Sequence, residues 1–175
     1  MSALVKISDE IITSSGTHTV TLTGINSTYS TYMVKVNNCQ PATDNKNISM
    51  RITKSSTIQD GTDYSYVHEN VALPNGNFGH TNQVGANALV IFDSAGNGAG
   101  ETNNAIIYLF NFPEASEYSH FTYETAHSQH TPAMRGYNGG GVHEVSSASD
   151  GVAFFTESSV DFANGAEFAL YGLKK

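Results

Sequence analysis

Apolar and polar residues alternate along several short stretches of this chain, and this spacing of two constrains its fold more than any other feature. The alternation is clearest in "HTVTLTG" (18–24), "YMVKVN" (32–37) and "NISMRIT" (47–53). A period of two places apolar side chains on one face of a β-strand and polar side chains on the other. The pattern therefore predicts three half-buried strands, separated by "GINSTYST" and "CQPATDNKN", which are rich in turn-forming residues.

Further strands are predicted in the rest of the chain, and only "SDEII" near the start allows a helical turn. The predicted strands are "YSYVHENV" (64–71), "ALVIFD" (88–93), "NAIIYLFNF" (104–112), "YSHFTYETA" (118–126), "GVAFFTES" (151–158) and "GAEFALYGL" (165–173). Eight to ten short strands at this spacing predict an all-β protein. We expect a single jelly-roll-like antiparallel β-sandwich over residues 1–175. Its last strand should be paired inside a sheet, with Phe168 and Leu170 buried on one face.

The composition narrows the possible partners. Only 14% of the residues are charged, whereas Ser, Thr and Asn total 52, and the usual charged fraction is about a quarter. The net charge is −8, with eight Lys and Arg, so no basic face is available to neutralise nucleic-acid phosphates or to bind an anionic membrane. Cys39 is the one cysteine, so no disulfide can form within the chain. The N-terminal residues lack a signal-peptide pattern, so synthesis in the cytoplasm is expected.

Two segments resemble a known family. The stretch "TLTGINSTYSTYMVKVNNCQPATDNKNISMRIT" (21–53) resembles a pattern in tailed-bacteriophage virion structural proteins, in which "TGI-STY--Y" precedes a strand, a "P-TD" turn and another strand. The closing "FANGAEFALYGLKK" (162–175) resembles the last strand of the same proteins, with Leu173 where Ile is commoner. Residues 64–160 show no such resemblance.

The resemblance implies a β-sandwich that assembles on a phage particle as capsid decoration or as a tail adaptor, fibre or baseplate component. It implies synthesis in the bacterial host, location in the virion, partners among other virion proteins and a homo-oligomer, with a trimer as the first expectation. It supplies no catalytic residues. A carbohydrate-binding domain that recognises a host surface glycan is the alternative, although the chain has no Trp. A glycan-processing enzyme is a third, weaker alternative.

The glycine-rich "AGNGAGE" (95–101) does not match a nucleotide-binding loop. A phosphate loop requires Lys followed by Ser or Thr and then a helix, and a dinucleotide turn requires G-x-G-x-x-G opening a helix. This segment has neither pattern and is followed by a predicted strand, so it is expected to be a hairpin loop.

No metal site or catalytic residue is predicted. Zinc needs three or four ligands, and we interpret four histidines as loop residues, with a site on a trimer axis as the exception: His120, His127, His130 and His143. Five aspartates are interpreted as turn formers rather than calcium ligands: Asp44, Asp60, Asp63, Asp93 and Asp150. Five glutamates could include a glycosidase pair only if two carboxyl groups meet in space: Glu114, Glu117, Glu124, Glu144 and Glu157. No cofactor is predicted, and Cys39 has no nucleophile context.

The aromatic residues and the two-faced strands bear on binding. Tyr32 is predicted to be core, and Tyr29 beside it is a weak candidate for sugar stacking. Tyr118, Tyr123 and Tyr137 are the better candidates for a binding surface.

Strands apolar on both faces suggest more apolar surface than one sandwich can cover, so three residues are expected to contribute to an oligomer interface: Ile107, Leu109 and Phe155.

Overall fold

The computed structural model describes residues 4–73, 76–131 and 133–174 of the chain. Thirteen strands and one short 3-10 segment lie within these ranges: β1 (Leu4–Ile11), β2 (Thr19–Thr23), β3 (Thr31–Cys39), β4 (Lys46–Lys54), β5 (Thr57–Ile58), β6 (Tyr64–Ala72), β7 (Asn77–Ala86), β8 (Leu89–Ala95), β9 (Asn103–Phe110), β10 (Ser119–Ser128), β11 (Met134–His143), β12 (Gly151–Thr156), the 3-10 segment Glu157–Ser159, and β13 (Glu167–Leu173). In the described part of the chain, no helix has the length and apolarity that a bilayer crossing requires.

The strands form two antiparallel sheets that pack face to face, which confirms the predicted all-β sandwich. The larger sheet has eight strands in the order β1-β13-β3-β9-β10-β11-β6-β7, and the smaller sheet has the order β2-β12-β4-β5, with β8 also paired to β4. We call β1 to β4, β8, β9, β12 and β13 the central sandwich. These eight strands are divided four to each sheet, as in a jelly roll, and β13 lies between β1 and β3.

The central sandwich encloses an apolar core made by the predicted alternation. Residues Tyr32, Val34 and Val36 of β3 face inward and are fully buried. The last strand does the same with Phe168 and Leu170, which are also fully buried. The prediction that the closing strand is paired inside a sheet is therefore confirmed.

Two excursions of the chain extend the larger sheet beyond the central sandwich. Strands β6 and β7 follow the small strand β5, and β10 and β11 follow β9. Together they continue the sheet as β10-β11-β6-β7, and we call these four strands the extension. Its inner face contacts β8 of the smaller sheet.

Several local predictions are wrong. The first four residues of "SDEII" (8–11) belong to strand β1 and form no helical turn. Residues 96–102 connect β8 of the smaller sheet to β9 of the larger sheet, so they are a crossover and not a hairpin loop. Strands β11 and β7 were not predicted. The residues of β7 do not alternate in polarity.

Candidate functional site

The extension brings together a cluster of titratable side chains around Asp93. The Arg135 Nη1 atom donates to Asp93 Oδ2 at 2.7 Å, and Gln129 Nε2 donates to the same oxygen at 3.4 Å. His127 Nε2 lies 3.2 Å from Asp93 Oδ1, and the Tyr137 hydroxyl donates to that oxygen. Asp93 lies on β8, whereas its partners lie on β10, on β11 or, for Gln129, directly after β10. This cluster therefore connects the smaller sheet to the extension.

A second layer of rings continues the cluster across the extension. The His68 ring stacks on Tyr137 with ring centres 4.0 Å apart and planes inclined by 17°. His68 Nδ1 is hydrogen-bonded to the Tyr123 hydroxyl at 2.7 Å. Gly139 makes room for this layer, since a Cβ on it would lie 2.4 Å from Val67 O and 2.5 Å from His68 Cβ.

The environment shifts the pKa values of the cluster in consistent directions. Burial by itself disfavours the Asp93 carboxylate, but hydrogen bonds from His127 and Tyr137 and the charge of Arg135 outweigh burial, and the pKa of Asp93 is lowered. Burial lowers the pKa of His68, although the Asp93 charge opposes the shift. Burial raises the pKa of Tyr137, and its hydrogen bond to Asp93 adds to the effect. The stable form at neutral pH is thus an ionised Asp93 beside neutral tyrosines.

This cluster lacks what a catalytic site needs. Thr125 Oγ1 lies 3.4 Å from His127 Nδ1, so the order Thr125, His127, Asp93 has the connectivity of a nucleophile, a base and an orienting acid. However, the Thr125 hydroxyl already accepts the Tyr137 N–H at 3.0 Å, and His127 is only 1% exposed. A substrate cannot reach this hydroxyl in the structure. The arrangement stabilises the fold by giving hydrogen-bond partners to buried polar groups, with Arg135 Nε as an exception among the described residues.

The histidines predicted as loop residues are mostly strand residues. His120 and His127 lie on β10 and His143 ends β11, whereas His130 follows β10. His143 is 1% exposed, and neither of its ring nitrogens has a hydrogen-bond partner among the described residues. Burial lowers the pKa of His143 to about 4, and the nearby Lys54 charge contributes. The unpartnered imidazole is therefore buried in its neutral form.

The acidic candidates do not assemble a metal site in the described ranges. Asp44, Asp60, Asp63 and Asp150 lie outside the strands, as a turn former would, while Asp93 lies within β8 and contradicts that interpretation. No three residues among the described His, Cys, Asp and Glu are placed to hold a metal ion. Glu124 lies on β10, and the other four glutamates lie outside the strands.

The tyrosine prediction is largely wrong. Tyr123 and Tyr137 are 1% and 5% exposed and pack inside the extension, so they offer no binding surface. Tyr118 is 44% exposed. Tyr32 is core, as predicted, and its hydroxyl bonds to the backbone of Asn26. The alternation of residues along each strand could have indicated this burial, because Tyr123 and Tyr137 both occupy inward-facing positions on their strands.

The two segments of the family resemblance meet in the structure. Strand β13 pairs with β3, with Leu170 opposite Val34. The Tyr29 ring lies against Gly172, where a Cβ would be 2.4 Å from a ring carbon. Tyr29 also meets Tyr32 edge to face, with ring centres 5.7 Å apart. The sequence motifs "STY" and "LYGL" therefore pack against each other in the fold.

The exposed apolar residues are not those predicted for an interface. Ile107 and Leu109 are fully buried in the central sandwich, and Phe155 is half-buried. The most exposed large apolar side chains of the described residues lie on β7 instead: Phe78 is 82% exposed and Val84 is 81% exposed. Within the described ranges of the chain, strand β7 forms the outer edge of the larger sheet and pairs with β6 alone.

Comparison with known proteins gives no relative: no family model, no curated protein and no solved structure matches this chain.

Proposed function

We propose that this chain is a non-enzymatic structural protein of a tailed-phage particle, either as capsid decoration or as a tail adaptor, fibre or baseplate component. The proposal starts from the resemblance of residues 21–53 and 162–175 to virion proteins. The contact between Tyr29 and Gly172 supports treating these two segments as one motif of the fold.

One observation carries the proposal: the exposed edge of β7. Proteins normally protect a sheet edge with charged residues, proline, a β-bulge or a short strand. Strand β7 has one irregularity, between Gln83 and Ala86, and pairs regularly with β6 from Asn77 to Gln83. Strand β7 is ten residues long, has no Lys, Arg, Asp, Glu or Pro, and exposes Phe78 and Val84 almost completely. Such an edge pairs readily with another chain, as expected of a protein that works within an assembly.

The sequence of β7 favours a second copy of this chain as the partner. Phe78 and Val84 lie three residues on either side of Thr81, with Val84 at the start of the irregularity, and both side chains are exposed. Residues six apart on a strand share one face. In an antiparallel pair of β7 strands centred on Thr81, Phe78 of each copy would lie opposite Val84 of the other. Apolar cross-strand pairs of this kind stabilise a sheet. The contact has two-fold symmetry, the commonest closed form, so the trimer implied by the resemblance would need another interface.

Light scattering on the purified chain tests this assembly. We expect a dimer, and we expect Phe78→Lys with Val84→Lys to give a folded monomer. Ile11→Lys is the matched control, because Ile11 is 51% exposed on β1 at the opposite edge of the same sheet. A monomeric wild-type chain, or dissociation by the control variant alone, would contradict the proposed interface.

The particle role needs its own experiment. We expect peptides of this chain in purified phage particles and its gene beside capsid or tail genes. Its absence from particles, combined with tight binding of the purified monomer to a glycan, would favour the carbohydrate-binding alternative.

The non-enzymatic part is tested with a panel of polysaccharides. We expect no turnover, since the Asp93 cluster has no accessible nucleophile. Turnover that is abolished by substituting one glutamate would refute this part.

A further inference from the structure

A groove lies on the outer face of the smaller sheet, where Tyr66 of β6 and Ala86 of β7 border it. Its main part has a volume of about 530 Å³, and a smaller part of about 190 Å³ adjoins it. Both parts are lined by Arg51, Phe155, Thr156 and Ser159. The larger volume is within the usual size of a small-molecule site.

Arg51 is held in a fixed position at the centre of this groove. Its guanidinium carbon lies 4.4 Å from the centre of the Phe155 ring, a cation–π arrangement. Its Nε donates to Asn87 O at 2.9 Å. These two contacts determine the plane of the guanidinium group, so little conformational freedom is lost when a ligand binds.

The terminal nitrogens of Arg51 remain available. Among the described residues, neither Nη atom has a protein hydrogen-bond acceptor, and no carboxylate lies within ion-pair distance of the group. The other arginine, Arg135, donates to Asp93 at 2.7 Å. An uncompensated and half-buried guanidinium is unexpected in a chain of net charge −8. A free guanidinium fork is suited to two parallel hydrogen bonds from a carboxylate.

The rest of the lining is mixed: Tyr66, Ala86, Ala88 and Val90 supply apolar surface, Asn and Ser side chains supply polar groups, and Glu157 is the one carboxylate among the lining residues. The polar members are Asn47, Ser49, Asn87, Ser158 and Ser159. Asn47 Oδ1 accepts the Ser94 N–H at 2.9 Å, so the Asn47 amide offers its NH2 group to a ligand. The Glu157 carboxylate is engaged by the Asn47 N–H at 3.3 Å. Amide and hydroxyl groups of this kind match the hydroxyl groups of a sugar.

The turn that carries the two serines has an unusual backbone. Ser158 and Ser159 have φ values of 58° and 53°, in the left-handed region that non-glycine residues rarely adopt. The turn is fixed because the Thr156 hydroxyl donates to Val160 O. Strained residues of this kind cluster at ligand sites, and here they present two adjacent hydroxyl-bearing residues to the groove.

From these observations we infer that the groove binds a carboxylate-bearing sugar, with the carboxylate on the Arg51 fork and the sugar hydroxyls on the Asn and Ser side chains. The end of β7 borders this groove at Ala86, but the inference rests on Arg51 and its neighbours and not on the pairing proposed for Phe78 and Val84.

An NMR titration of the full chain with sodium glucuronate tests the inference, with glucose, sodium acetate and sodium phosphate as comparison ligands. We expect saturable shifts at Asn87 and Ser158. Glucuronate should bind at least about tenfold more tightly than glucose, acetate or phosphate, because only glucuronate offers both groups that the groove recognises.

Variants at Arg51 locate the site. Arg51→Gln should weaken glucuronate binding by at least about tenfold, and Arg51→Lys, which keeps the charge but loses the fork, by an intermediate factor. Lys35→Gln is the matched control, since it removes one positive charge from the larger sheet, and it should leave the affinity unchanged. If Arg51→Gln fails to fold, Arg51→Lys and the comparison ligands decide.

Three results would overturn the inference. The first is the absence of saturable shifts with glucuronate. The second is equal affinity for acetate or phosphate, which would mean a general anion site. The third is an affinity that Arg51→Lys leaves unchanged or that Lys35→Gln lowers equally.

Discussion

The central sandwich and the extension share one eight-stranded sheet but bury different kinds of side chain. The core of the central sandwich is apolar, with Val34, Phe168 and Leu170 fully buried. The inner face of the extension instead buries rings and ionisable groups, such as His68 and Tyr137 at 5% exposure. Apolar burial is non-directional, whereas the extension depends on stacking and on hydrogen bonds with defined geometry.

This difference teaches where each region is vulnerable. A core that depends on buried area loses stability when volume is removed. A polar cluster loses stability when one partner is removed and another is left unsatisfied. The four predictions below test this contrast, from the largest expected effect to the smallest.

Phe168→Ala should lower the free energy of unfolding by about 3–5 kcal/mol, the usual cost of removing a buried Phe side chain. Chemical denaturation measures the loss. Hydrogen exchange should show reduced protection of β3 and β13. The amides of the extension should keep their protection, because we expect the extension to open locally without unfolding of the central sandwich. An equal fall in both regions would show that they unfold as a single unit.

Gly139→Ala should cost up to about 3 kcal/mol, the upper range for forcing extra volume into a packed site. The reason is that the new Cβ meets backbone, with Val67 O at 2.4 Å, and backbone cannot rotate away. Gly136→Ala on the same strand is the control, because its Cβ would come no closer than 3.4 Å to Thr125 O. Thermal unfolding of the two variants should differ clearly; similar melting temperatures would contradict the packing described for β11.

Asp93→Asn should lower the free energy of unfolding by about 2 kcal/mol, in the range for hydrogen bonds to charged groups. The loss should disappear in acid. The pKa of Asp93 is lowered in the folded state, so its stabilisation is present above the unfolded pKa and is lost as pH falls through the folded pKa. Urea denaturation of wild type and variant at pH 7 and pH 3 measures this. A difference that persists unchanged at the lower pH would exclude a role for the charge.

His143→Leu should change stability by less than about 1.5 kcal/mol at pH 7, because the buried imidazole is neutral there and has no partner to lose. Its effect should appear on acidification. The pKa of His143 falls from 6.5 unfolded to about 4 folded, so between these values the unfolded chain binds more protons and wild-type stability declines as pH falls.

The variant should flatten this decline between pH 6.5 and 4. Denaturation midpoints across that range provide the test, with His120→Gln as the control because His120 is exposed. The charged groups acting on His143 are Lys54, Asp63 and Glu144. A variant with the wild-type pH slope would show that another group is responsible.

The sequence predicted the central sandwich much better than the extension, and the reason is physical. Strands with one apolar face and one polar face carry a period of two, as Val20 and Leu22 show on β2. In the extension, β11 reads "MRGYNGGGVH", where Gly139 and Gly141 stand because backbone and Cβ atoms of β6 and the Phe121 ring of β10 leave no room for a side chain. Strand β7 buries little and so has no alternation to detect.

The candidate sites were less predictable still. The Asp93 cluster joins residues 93, 127, 135 and 137. These residues meet because β8 of the smaller sheet packs against the extension, a contact that the sequence does not indicate. The sequence did indicate that Tyr123 and His127 point to the same side of β10, because they are four residues apart on one strand. Arg51 looked like an ordinary polar position on β4, because its pairing with Phe155 depends on the β4–β12 register.

The pairing of β1 with β13 has a practical consequence for engineering. Leu4 lies directly opposite Leu173, so a short linker joining these positions could rewire the chain as a circular permutant. New ends could be opened in the exposed connection at 113–118, where cleavage is best tolerated. Tags placed at residues 4 or 173 would lie on the β1 and β13 side of the larger sheet, away from β7, which makes this chain suitable for displaying a fused peptide without obstructing that strand.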